Sequence, residues 1–227
     1  MKKPPFLNNE IYHIFNRGVE KRKIFLDQQD YFRFIHDLYE FNDTAPAGKF
    51  SEVKPPIISE VKPPIRRKLI VDVICFCLMP NHFHLILRQR INNGIPLFMQ
   101  KLDTGYTMYF NQRCQRVGSL FQGSFKAILV ADDNYFVHLS RYIHTNPLEI
   151  IEPNWKTEGI HNWRKTNKFL EEYRWSSYPD YIGKENFPSV TNRNLINRYF
   201  DNLTDYKKFV NEWCKNDDYI ADLTLES

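Results

Sequence analysis

LIVDVICFCLMPNHFHLILR, residues 69–88, holds two apolar runs parted only by the turn MPNH. The runs 69–78 and 82–88 read as strands, and so short a connection makes them an antiparallel hairpin near the centre of a sheet. The flanking segments fit around this pair. Upstream, EIYHIFN (10–16) alternates polar and apolar residues as a strand does, and RGVEKRK follows as a basic turn. From Asp27 to Phe41 the residues Tyr31, Phe34, Ile35, Leu38 and Tyr39 recur at helical spacing. Downstream, Asn92 to Arg113 carries Leu97, Phe98, Leu102, Tyr106 and Tyr109 at near-helical spacing. SLFQGSFKAILV (119–130) reads as strand broken at Gly123, and Asp132 or Asp133 caps a helix that runs through Phe136, Leu139 and Ile143 toward Pro147. A last helix is expected from about Asp205 to Lys215. Strand, helix, hairpin, helix, strand, helix predicts an α+β domain with a ferredoxin-like antiparallel sheet and packed helices.

Residues 44–66 break the pattern. SEVKPPI stands at 51–57 and again at 59–65, a proline-rich tandem duplication without hydrophobic periodicity, which reads as an inserted linker. The main domain is expected over 1–180, with 181–227 as a C-terminal helical extension of unassigned role.

Composition bounds the function only loosely. The 227 residues are 42% hydrophobic and 26% charged, with a net charge of +4 and a pI near 8.7. That balance suits a nucleic-acid partner but also many other proteins. No run has the roughly 18 apolar residues of a membrane helix, and MKKPPFLNNE lacks the apolar stretch of a secretory signal. Cys75, Cys77, Cys114 and Cys214 do not form the paired motifs of a zinc site, so reduced, mostly buried thiols in a cytoplasmic protein are expected.

His82 and His84 are separated by one residue in a strand, so their imidazoles share a face about 6 to 7 Å apart and can reach one metal ion. Two polar residues on a half-exposed sheet would have the same spacing. Tyr142 and Asn146 lie four apart on a helix and therefore on one face. A phenol of pKa about 10 is a weak nucleophile unless a nearby metal stabilises its anion. Equally, Tyr142 fits a core position and Asn146 a helix cap before Pro147. Spacing alone does not choose.

Five segments, in order, resemble the single-tyrosine HUH transposases, and most of all the REP-associated tyrosine transposases. They are YHIFNRGVEKRKIF (12–25), LMPNHFHLILR (78–88), GSLFQGSFKAILV (118–130), YFVHLSRYIHTNP (135–147) and YRWSSY (173–178). The resemblance implies that His82 and His84 are metal ligands, that Tyr142 is the nucleophile and that Asn146 completes the metal site. Magnesium or manganese is the ion implied. It also implies single-stranded DNA, folded into palindromic hairpins, as the partner of a monomer or homodimer. Arg17, Lys21, Arg22, Arg113, Arg116, Lys126 and Arg141 are the candidate phosphate contacts. His144, between Tyr142 and Asn146, reads as structural or phosphate-contacting. Other readings are a hairpin-binding protein that does not cut, a phosphodiesterase that activates water, and a replication initiator or relaxase.

Overall fold

The computed structural model describes residues 3–45 and 67–214. The duplication at 51–65 lies outside them, as do residues 215–227. Strand β1 (Ile11–Arg17) leads into helix α1 (Gln28–Glu40), then strands β2 (Val71–Met79) and β3 (His82–Gln89), helix α2 (Gly94–Arg113), strand β4 (Lys126–Val130) and helix α3 (Asp133–Thr145). Six further helices follow: α4 (Leu148–Ile151), α5 (Trp155–Glu158), α6 (Trp163–Glu172), α7 (Tyr178–Tyr181), α8 (Asn194–Asn197) and α9 (Leu203–Trp213). The sheet order is β2-β3-β1-β4 with every neighbouring pair antiparallel. Together with the order of helices, this is the ferredoxin-like arrangement expected from the sequence.

Local chemistry explains the element ends. The Asp27 carboxylate accepts from the Gln29 amide and starts α1, and Asp132 accepts from Tyr135 to start α3. Met79 pairs with His82 across the two-residue turn Pro80-Asn81. The Asn42 side-chain oxygen accepts from the amides of Ile70 and Val71, and its nitrogen donates to the Val71 carbonyl. The end of α1 is thereby tied to the start of β2, fixing the two chain ends that the proline-rich segment joins.

Two cores lie on opposite faces of the sheet. Phe34, Ile35, Leu38, Phe98, Leu102 and Tyr106 of α1 and α2 pack on one face against Phe76, Phe83, Leu85 and Leu87. Full burial of such a side chain contributes roughly 2–3 kcal/mol. A Cβ on Gly105 would come within 2.6 Å of the Phe41 ring, so glycine lets α2 approach the end of α1. On the other face α3 packs against Ile74, Cys75, Cys77 and Ile86. Tyr181, Ile196, Tyr206, Val210 and Trp213 complete that second core, while Phe187 and Val190 from the same stretch join the first, so residues 181–214 contribute to both layers.

Two expectations are modified. Residues 119–125 are not strand: Phe121 makes only an isolated bridge to Gly18, and Gly123 has φ +84°, where a side chain would be strained. In the hairpin, β3 is central but β2 is an edge strand. All nine residues of β2 are nevertheless buried. Its outer edge is bonded by Leu78 N to Trp175 O, Ser177 N to Phe76 O and Asn192 N to Val73 O.

Candidate metal and nucleophile site

The sheet register builds the site. Arg17 lies directly opposite His82, Phe15 opposite His84, and Lys126 opposite Phe15. Because side chains alternate, His13, Phe15, Arg17, His82, His84 and Lys126 all face the side covered by α3. A pocket at this end of the sheet is lined by Phe15, Asn16, Arg17, His82, His84, Gln122 and Lys126.

The two imidazoles stand with ring centres 5.0 Å apart at 85° to one another. Asn81 Oδ1 accepts from His82 Nδ1 at 2.7 Å. A carbonyl oxygen can only accept, so the proton sits on Nδ1 and Nε2 keeps its lone pair. His84 Nδ1 faces His13 Nε2 at 3.0 Å inside the core. Burial lowers the His82 pKa to about 4, with Arg17 next in effect, and burial followed by His82 takes His84 well below its usual value. Both imidazoles are therefore neutral near pH 7, the form that binds metals.

Helix α3 brings up the remaining two residues. The Tyr142 ring centre is 6.1 Å from that of His84, edge to face, and the residue is 8% exposed. Asn146 is the residue that ends α3; its Nδ2 donates to the Tyr142 carbonyl at 2.9 Å, and its side chain lies beside His82. The capping role and the place beside the histidines thus coexist. With Nδ2 on the carbonyl, the amide oxygen is the Asn146 atom left to face His82. Two neutral imidazoles and one amide oxygen are a reasonable donor set for a divalent ion, softer than magnesium prefers and suited to manganese. Among the described residues, no group of three or more histidines, cysteines and carboxylates could hold a metal. Cys77 pairs with His84 in the register, but burial pushes its thiol pKa up and away from the thiolate a metal would need.

The basic residues divide. Arg17 and Lys126 line the pocket. Lys21 is exposed on the turn after β1, and Arg22 pairs with Glu20 at 3.7 Å. Arg113 is bonded to Asp27 and Asp30 beside α1, on the opposite face of the sheet. Arg116 donates to Asn111 and to the Ser119 carbonyl. Arg141 departs furthest from a surface role: it is 6% exposed, with its guanidinium 4.3 Å from the Phe209 ring centre and 4.1 Å from that of Trp213. His144 is structural, bonded to Tyr206 Oη at 2.6 Å and to Ser177 Oγ at 2.8 Å.

Three residues here escaped sequence reasoning. Gln122 enters the pocket because residues 119–125 leave the sheet. His13 is hidden in the alternation of β1. Lys156, on α5, places Nζ 5.1 Å from the centre of the Tyr142 ring and donates to Glu149 Oε1 at 2.6 Å. Only the 3.6-residue spacing of a longer helix would have pointed to Lys156, and α5 has four residues.

Residues 51–146 match the model of a protein family described as "Transposase IS200 like". The span contains His82, His84 and Tyr142 and ends on Asn146, and the family is the one the motifs resemble. No curated protein matches the chain. Among solved structures, one described as "Structure of the REP associates tyrosine transposase bound to a REP hairpin" is similar at a TM-score of 0.49 and 10% identity, over 86% of this chain and 92% of that one.

Proposed function

From the match of residues 51–146 to the IS200-like transposase family, we propose that this chain cuts and rejoins single-stranded DNA through a covalent bond to Tyr142. The observation that carries the reading is the pocket in which His82 and His84 meet Arg17 and Lys126, with the Tyr142 ring centre 6.1 Å from that of His84. Arg17 and Lys126 hold the phosphate backbone of an unpaired strand. The Tyr142 oxygen attacks phosphorus in line, losing its proton, while the departing 3′-oxygen gains one. The products are a 5′-phosphotyrosine and a free 3′-hydroxyl. A second 3′-hydroxyl attacking the same phosphorus reverses the step and joins new strands. His82, His84 and Asn146 would hold a divalent ion, manganese or magnesium, which when bound withdraws charge from the phosphate. Lys156 balances negative charge at the tyrosine oxygen. Strands that fold into palindromic hairpins are the proposed substrates, met in the cytoplasm.

The test uses the purified chain, manganese and labelled single-stranded DNA from the flanks of its own gene. Label that stays with the protein after denaturation, and only when metal is present, supports the reading. Label that shifts in a native gel yet never stays with denatured protein favours a hairpin-binding role without cleavage.

A further inference from the structure

Each histidine of the pair has a different neighbour on its Nδ1 side, and that difference has a chemical consequence. His82 faces the Asn81 carbonyl oxygen, which accepts only, so its Nε2 is fixed as a lone pair. His84 faces another imidazole. His13 Nε2 lies 3.0 Å from His84 Nδ1, with the two rings inclined by 26° and both residues buried. One proton must lie between these nitrogens, and either ring can carry it. If His13 carries it, His84 is left with its proton on Nε2 and has no lone pair there. If His84 carries it, Nε2 is bare and His13 must hold its own proton on Nδ1. Both arrangements contain the same number of protons, so this is a choice of tautomer. It is set inside the core, where β1 and β3 fix both rings diagonally across the ladder.

We infer that His13 is a positioning residue that accepts the Nδ1 proton of His84 and so presents His84 Nε2 as a lone pair to the metal ion. The inference rests on the reading of His82 and His84 as ligands. His13 Nδ1 has no hydrogen-bond partner among the described residues and is enclosed. Burying an unpaired ring nitrogen is costly, and nothing in the packing demands an imidazole there: Phe15 and Ile86 beside it are apolar. An aliphatic residue would fill the space without that cost. A partner for His84 Nδ1 accounts for the histidine, in the way outer partners of metal-bound imidazoles fix their tautomer and orientation.

The test compares wild type with His13→Leu, which has no acceptor, and His13→Gln, whose amide oxygen can accept the same proton. Manganese affinity is measured directly, without DNA, by the loss of the free-ion electron paramagnetic resonance signal. His13→Leu should weaken binding about 10- to 100-fold, with His13→Gln within a few-fold of wild type. Equal binding in all three, or equal loss in both variants, overturns the inference. A second measurement needs no variant: long-range proton–nitrogen NMR spectra of wild type labelled with nitrogen-15 histidine, with zinc as a diamagnetic probe. Zinc-bound protein should carry its proton on Nδ1 in both His84 and His13. A proton found on His13 Nε2, or zinc on His84 Nδ1, overturns it. Wild-type protein that binds neither ion sinks the ligand reading itself, whereas tight binding indifferent to His13 sinks the positioning role alone.

Discussion

Lys156 Nζ lies 5.1 Å from the centre of the Tyr142 ring while donating to Glu149 at 2.6 Å. The lysine comes from α5 and the tyrosine from α3, so the turn through α4 exists in a form that sets a cation over the proposed nucleophile. Its ammonium also acts on His82 and His84, lowering both pKa values, though less than burial does. Lys156→Met removes the charge and keeps the length. Strand cleavage should fall about tenfold, less than the loss of a fully enclosed electrostatic group, because the lysine is partly exposed. DNA affinity, read by a gel shift, should change little. Unaltered cleavage would remove Lys156 from the mechanism.

Arg17 and Lys126 line the pocket, whereas Arg113 is held by Asp27 and Asp30 on the other face. Each phosphate contact to a single strand adds about 0.7 to the slope of log affinity against log salt. Arg17→Gln and Lys126→Gln should each lower that slope by about this amount, and Arg113→Gln should leave it unchanged. A salt titration of DNA binding by fluorescence anisotropy distinguishes them.

Arg141 ties α3 to α9 through the rings of Phe209 and Trp213. A desolvated contact of this kind is worth about 2 kcal/mol. Arg141→Leu should therefore lower stability by roughly 2 kcal/mol, or about 4–8 °C in Tm for a chain of this size, with the salt slope of DNA binding retained. Thermal unfolding followed by circular dichroism checks it.

His144 fixes the sign of one pH effect. Burial lowers its pKa to about 3, against 6.5 for the exposed side chain. The unfolded chain therefore binds a proton that the folded chain refuses throughout the window from 6.5 down to 3. Stability is full above pH 6.5 and falls as pH drops through that window, by about 2 kcal/mol at pH 5 from this residue. His144→Gln should flatten the dependence in urea titrations at pH 5 and 7, even though it lowers stability at both.

The legible parts of the chain were those with a long period. The hairpin, α1, α2 and α3 were readable because eight to twenty residues repeat one pattern against the sheet. Between 148 and 202, α4, α5, α7 and α8 have four residues each and no period to detect, and the ten-residue α6 buries only Thr166 and Leu170, too few to mark a helical face. Residues 119–125 have the composition of a strand, but the backbone turns at Gly123 and the bridge from Phe121 to Gly18 is all that pairs. In the site, the histidine pair and the tyrosine were marked by spacing and by family motifs. Arg141 misled because a charge on a helix usually faces water, and only the aromatic residues of α9, some seventy positions later, bury it. His13 was invisible for the opposite reason. It fits the alternation of β1, and its partner is 71 residues away.

The central claim concerns one bond, and peptide mapping by mass spectrometry tests it most directly. The wild-type chain is incubated with manganese and single-stranded DNA from its own flanks, digested with protease and nuclease, and searched for a nucleotide-bearing peptide. The expected result is a single modified peptide with the 5′-phosphate on Tyr142, lost without metal and in Tyr142→Phe. Cut DNA with free 5′-phosphate ends and no modified peptide, or cleavage undiminished in Tyr142→Phe, would contradict the account.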